Sequence, residues 1–271
     1  MTSIRYVAIG DSFSEGVGDE LTDGYVRGWA DLLAHGWAWS RNDAVSYANL
    51  AIRGKLVWEI LDEQLEPALA LQPTHLSFNG AGNDMLRPRA NISHLAAAFS
   101  RVRQRCAEVG VTLIVLSGAN PSRHLPLGSL IQRRGDRLSA QVASVLSGQD
   151  DVIRAVNWND RELSTAEYWA ADRLHMNARG HHRVAARVLS ALGEQVPPHW
   201  WSLPDLDLGP RPHGPAYYRE FVLPWVRRRL AGESSGDGVM PKHPEWIRIE
   251  PQTSDTRPHT AAEPQTEGER S

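Results

Sequence analysis

Ile4-Arg5-Tyr6-Val7-Ala8-Ile9-Gly10-Asp11-Ser12-Phe13-Ser14-Glu15-Gly16 decides how the rest of the chain is read. Tyr6 to Ile9 is a short apolar run, too short for a buried helix and suited to a central strand of a parallel sheet covered on both faces. Gly10 ends it. Asp11 and Ser12 then fall where open α/β sheets place their ligand crevice, beside the free N–H groups and positive dipole end of the following helix. Two readings compete at this point. Asp and Ser are common helix caps, and the pair would then only start a helix. Alternatively, Ser12 is a nucleophile set beside a ready anion site.

The opposite end of the chain favours the nucleophile. Asp172-Arg173-Leu174-His175 precedes Met176-Asn177-Ala178-Arg179-Gly180-His181-His182 and a helical run from Val184 to Leu192. A lone Asp-x-x-His is most often a surface cap or helix pair. On a loop or first helical turn, however, residues three apart share a side, so Asp172 can hold one imidazole nitrogen of His175 while the other faces a substrate. A serine hydroxyl needs such a base, and the base needs an orienting carboxylate, so each half accounts for the other.

Between these ends, Phe78-Asn79-Gly80-Ala81-Gly82-Asn83-Asp84 follows a strand-like run from Thr74 to Phe78. The Asn83 amide is either a turn residue or a donor to the oxyanion that forms when a carbonyl is attacked. A further break, Asn49-Leu50-Ala51-Ile52-Arg53-Gly54, ends another strand-like run and offers the Gly54 backbone N–H as a second donor.

These four signals, in this order, resemble the SGNH hydrolases, the GDSL-type lipase and esterase superfamily. The resemblance covers roughly the first two hundred residues, and its specificity lies in the combination, since any single block is weak. It implies a catalytic triad of Ser12, His175 and Asp172, and an oxyanion hole from the Ser12 N–H, the Gly54 N–H and the Asn83 side chain. It also implies acyl transfer from carboxylic esters through a Ser12 acyl-enzyme, of esterase, lipase or O-deacetylase type, with no cofactor and no metal. Two departures concern loop geometry. Ala81 stands where the family usually has glycine, and Met176 follows the histidine where many members have proline.

Strand-like runs near 4–9, 45–50, 74–79, 111–117 and 152–157 alternate with helical patterns near 27–38, 56–70, 93–109, 132–147 and 178–192. That alternation predicts an α/β fold: a three-layer α/β/α sandwich with a five-stranded, mainly parallel sheet, flavodoxin-like in the resembled family. Loops 10–26, 118–131 and 157–175 should overhang the crevice. The catalytic domain is placed at 1–196. A Trp- and Pro-rich extension follows at 197–249 with a helix near 216–230, and it should pack back on the domain or on a partner. The tail 250–271 has the composition of a disordered segment. Trp29, Trp37 and Trp58 sit in helical patterns and read as core.

Other functions fit less well. A net charge of −3 argues against nucleic acid as the main partner, and Arg227-Arg228-Arg229 reads as the cationic end of a helix. His175 and His181 are six apart, which misses the spacing that puts two imidazoles on one helical face. The P-loop pattern is missing. Cys106, the single cysteine, reads as a buried thiol in a reducing compartment, and the N-terminus runs straight into the first strand, so the expectation is a cytoplasmic protein without a transmembrane segment. The expected partner is a small-molecule ester; the alternative is a non-catalytic carbohydrate- or partner-binding module that keeps the fold.

Overall fold

In the computed structural model, which describes residues 3–149, 151–202 and 211–251, the opening apolar run is strand β1 (Ile4–Ile9). Its side chains alternate between two cores, Tyr6 and Ala8 on one face and Val7 and Ile9 on the other. The remaining strands are β2 (Val45–Asn49), β3 (His75–Phe78), β4 (Thr112–Ser117), β5 (Val152–Val156) and β6 (His243–Ile249). They form one sheet in the order β5-β4-β3-β1-β2-β6. The first five are parallel. Strand order reverses beside β1, so the loop that carries Ser12 lies at the topological switch point, where doubly wound sheets open their crevice.

The sheet has six strands and not the five expected. β6 lies antiparallel on β2, with Val45 opposite Ile249 and Tyr47 opposite Ile247. Pro244 within the run and the Gly- and Ser-rich residues before it hide this strand in the sequence, yet an edge strand tolerates a proline. The strand belongs to the segment expected to be an extension, which therefore joins the main sheet.

Helices cover both faces. α1 (Ser12–Glu15) is a single turn, and α2 (Gly28–Arg41) follows it. The run 57–70, α3, contains a π turn at Leu61–Leu65. Next come α4 (Gly82–Met85), α5 (Ile92–Glu108), α6 (Gly128–Val145), α7 (Ala178–Ala191) and the run 214–231, α8. Trp29, Leu33 and Trp37 of α2 pack with Val184 and Val188 of α7 on one face of the sheet. Ile60 and Leu65 of α3 pack with Phe99 and Val102 of α5 on the other. Trp29 and Trp37 are thus core, while Trp58 is half-buried and stacks on His94. Cys106 is buried, which pushes its thiol up to about 12. The stretch read as a disordered tail lies, from residue 252 on, outside the described residues.

Candidate active site

The turn after β1 is dictated by close approach. A Cβ on Gly10 would meet Ser14 Oγ at 2.5 Å and the Asn79 carbonyl at 2.8 Å, so only glycine fits. Gln64, in the π turn of α3, holds this glycine from both sides: it accepts from Gly10 N at 2.8 Å and donates to Gly10 O at 3.0 Å. The two readings of Asp11-Ser12 turn out to be compatible. Asp11 caps α1 by accepting from Phe13 N at 3.1 Å, and Ser12, the first residue of the helix, faces His175.

The geometry brings Ser12, His175 and Asp172 into one chain of hydrogen bonds. Ser12 Oγ lies 3.1 Å from His175 Nε2, and His175 Nδ1 lies 2.5 Å from Asp172 Oδ2. The other carboxylate oxygen, Oδ1, accepts from the backbone N–H groups of Leu174 and His175, each at 3.0 Å. With Asp172 fixed in this way, the proton of the imidazole belongs on Nδ1, and the Nε2 lone pair faces the serine. Burial disfavours the His175 cation, but the hydrogen bond and charge of Asp172, helped by Asp11 and Glu20, outweigh it and raise the pKa above its ordinary value. Burial also opposes ionisation of Asp172, but its bonds from His175 bring its pKa below the ordinary one.

Asn83 lies in α4 on the same cavity as Ser12 and His175. Its Nδ2 donates to the Lys55 carbonyl at 3.0 Å and approaches Asp11 Oδ2 at 3.4 Å. Gly54, with φ of +78°, adjoins Lys55 and is not among the residues that line the cavity. Ala81 adopts the left-handed conformation, with φ of 72°, as the cap of α4. The glycine-like turn is therefore kept, and the conformational cost of about 1–2 kcal/mol is partly offset by about 0.8 kcal/mol from burying the methyl group. Met176 is buried in the core. His181 and His182 are engaged by backbone: Trp29 N donates to His181 Nδ1 at 3.1 Å, and His182 Nδ1 donates to the Ala178 carbonyl at 2.8 Å.

Several supporting groups escape sequence reading because they act through backbone atoms. Asp84 accepts from Val57 N at 3.0 Å and joins the Asn83 turn to α3; burial raises its pKa. Burial likewise raises Asp11 to about 6, against the opposing pull of the Phe13 N–H and of His175. Arg134 of α6 donates to the carbonyls of Met85, Arg87 and Pro88 at 2.8–2.9 Å, pinning α6 to the Asn83 loop. Beneath α6, against β4 and β5, runs a cavity of about 560 Å³ that contains Ser12, Asn83 and His175. Most of its wall is apolar, supplied by Met85, Leu86, Val115, Leu138, Val142 and Trp158 among others.

Residues 8–183 match the GDSL-like Lipase/Acylhydrolase family, and the chain belongs to it. Its class is accordingly SGNH-type ester hydrolase. Solved structures share the fold. A catalytic mutant of Axe2, an acetylxylan esterase from Geobacillus stearothermophilus, is 16% identical over 72% of this chain and 97% of its own, with a TM-score of 0.60. TesA is 20% identical over 69% and 97%, with a TM-score of 0.58. LAE5, an alpha/beta hydrolase enzyme from the metagenome of Lake Arreo, Spain, is 21% identical over 71% and 97%, with a TM-score of 0.54. A search of curated proteins finds no match. No helix among the described residues is long and apolar enough to cross a membrane.

Proposed function

We propose that this chain hydrolyses carboxylic esters through an acyl-enzyme on Ser12, with His175 as general base and Asp172 as its orienting partner. The observation that carries this reading is the unbroken hydrogen-bond chain from Ser12 Oγ through His175 to Asp172, opening into an apolar cavity. His175 Nε2 takes the hydroxyl proton as Ser12 Oγ attacks the ester carbonyl, and returns it to the leaving alcohol as the tetrahedral intermediate collapses. Water then repeats the sequence on the acyl-enzyme. The oxyanion is met by the Ser12 N–H and the Asn83 side chain, both on the cavity wall; the Gly54 N–H, the third donor implied by the family resemblance, is off that wall and joins only if its loop shifts toward Ser12. In this assignment the Lys55 carbonyl anchors one N–H of the Asn83 amide, and the long approach to Asp11 is exchanged for the oxyanion.

The oxyanion role is tested by substitution. Asn83→Ala should lower kcat by about 10²–10³-fold with KM little changed, because the bond strengthens only as charge develops. Asn83→Asp, nearly isosteric but unable to donate, should be at least as damaging. A folded Asn83→Asp enzyme with near-native kcat would remove Asn83 from the oxyanion hole.

The pH dependence follows from the raised His175 pKa. The base is active when neutral, so kcat/KM for a small ester should rise with pH and level off, with its midpoint above the ~6.5 of an unperturbed imidazole. A midpoint at or below that value, with chemistry rate-limiting, would contradict the Asp172–His175 pairing.

We also assign the cavity under α6 to the acyl chain. Its size falls within the range of about 300–1,000 Å³ found for small-molecule sites, and an apolar wall rewards methylenes more than a sugar. Across a p-nitrophenyl ester series, kcat/KM should rise by roughly fourfold per methylene beyond acetyl until the cavity is filled. Val142→Trp should flatten that rise and spare the acetate ester. A wild-type preference for acetylated sugars over acyl esters would sink the assignment.

A further inference from the structure

Residues beyond the family-matched stretch reach back to the catalytic loops on both sides. Lys242, just ahead of β6, has only 12% of its side chain exposed. Its Nζ lies 2.7 Å from the Glu15 carbonyl, 2.9 Å from that of Val26, 2.6 Å from that of Arg27 and 2.7 Å from Asp31 Oδ1. An ammonium has three protons, so these four oxygens absorb its whole donor capacity. Asp31 is itself held by the hydroxyl of Tyr47, at 2.6 Å, and by that of Tyr25.

Glu15 is the last residue of α1, three residues after Ser12. A single helical turn has too few internal bonds to fix its own position, and its terminal carbonyls need outside partners. Lys242 supplies one, with the charge that a helix C-terminus favours. The Glu15 carboxylate in turn accepts from Arg53 N at 2.6 Å and Arg53 Nε at 2.9 Å, and Arg53 precedes Gly54. The turn before β6 closes on the same loop. A Cβ on Gly236 would meet the Arg53 carbonyl at 2.0 Å, and one on Gly54 would meet Ser234 Oγ at 2.2 Å. On the histidine side, Tyr217 Oη donates to the Asp172 carbonyl at 3.1 Å, and the Arg173 guanidinium lies 4.1 Å over the Tyr217 ring.

We infer that the C-terminal segment is a brace for catalysis, with Lys242 a positioning residue for Ser12 and the Arg53–Gly54 loop, and Tyr217 one for the Asp172–His175 loop. This rests on the Ser12 assignment above. A displacement of about 1 Å at a reacting group can cost about 10²-fold, so a one-turn helix released at its far end should lose rate and not substrate affinity.

The test uses full-length Lys242→Met and Tyr217→Phe, assayed on p-nitrophenyl acetate well below their melting temperatures, alongside Ser12→Ala. Lys242→Met should lower kcat by about 10–100-fold with KM within about threefold, and slow fluorophosphonate labelling in proportion. Tyr217→Phe should lose roughly three- to tenfold, again in kcat, as expected for one neutral hydrogen bond. A role confined to stability would lower the melting temperature and leave kcat of the folded protein unchanged. A folded Lys242→Met with kcat within about threefold of wild type therefore overturns the brace. If that variant does not fold, Gly236→Ala decides: it pushes on the Arg53 carbonyl without touching Lys242. Loss of kcat at constant KM then supports the brace, and wild-type kcat overturns it. An inactive Ser12→Ala beside an undiminished Lys242→Met refutes the brace alone, whereas an active Ser12→Ala refutes the catalytic reading and the brace with it.

Discussion

Ser12→Ala should reduce ester hydrolysis by about 10⁴-fold or more while the protein stays folded. The two halves of that expectation have separate causes. Activity falls because, among the described residues, Ser12 supplies the hydroxyl held against His175 Nε2, so its loss leaves the imidazole without a nucleophile to deprotonate. The fold persists because the structural duty at this turn belongs to neighbours: Asp11 caps α1, and Gln64 holds Gly10. Loss of one half-buried hydroxyl should change the unfolding free energy by no more than about 1 kcal/mol. Steady-state kinetics together with a thermal melt check both halves, and a folded variant with appreciable turnover would remove Ser12 as the nucleophile.

Asp172→Asn is the second large effect, at about 10³–10⁴-fold in kcat. Asn retains an oxygen to accept from Leu174 N and His175 N, so the loop should keep its shape. Its amide then turns toward His175 Nδ1 and donates where the carboxylate accepted. The imidazole responds by carrying its proton on Nε2, the atom that must receive the proton of Ser12. The raised His175 pKa should also fall, since its main support is Asp172. Rate measurement at saturating substrate, with the pH profile of the residual activity, reads both consequences. A loss below about tenfold would reduce Asp172 to a minor part.

The fold was legible where residues carry their own conformational signature. Ile4 to Ile9, His75 to Phe78 and Thr112 to Ser117 are short strand-like runs bounded by turn residues, and each is a parallel strand within a residue or so of its expected limits. α6 starts at Gly128, four residues ahead of its expected start, because Leu127 in the left-handed conformation begins it without a side-chain cap. β6 escaped because its proline and polar neighbours read as loop; what makes it a strand is the open edge of β2, a partner that no local window contains. At the candidate site, Ser12, Asp172 and His175 could be proposed from the sequence because the chemistry needs a hydroxyl, an imidazole and a carboxylate, and the motifs of the resembled family supply their order. Lys242, Gln64 and Glu15 could not, since their value lies in which distant carbonyl or N–H they meet. The apolar cavity was hidden for a similar reason: α6 carries an ordinary amphipathic pattern, and only packing reveals that part of its inner face borders open space.

The central claim is that one activated serine carries the acyl group, and it is tested most directly by mapping a fluorophosphonate adduct. After the full-length protein is treated with the probe and digested, mass spectrometry should find a single modification on Ser12. The labelling rate should fall as His175 is protonated, and no labelling should remain in Ser12→Ala. An adduct on another residue, or ester hydrolysis that continues with Ser12 fully modified, would contradict the account.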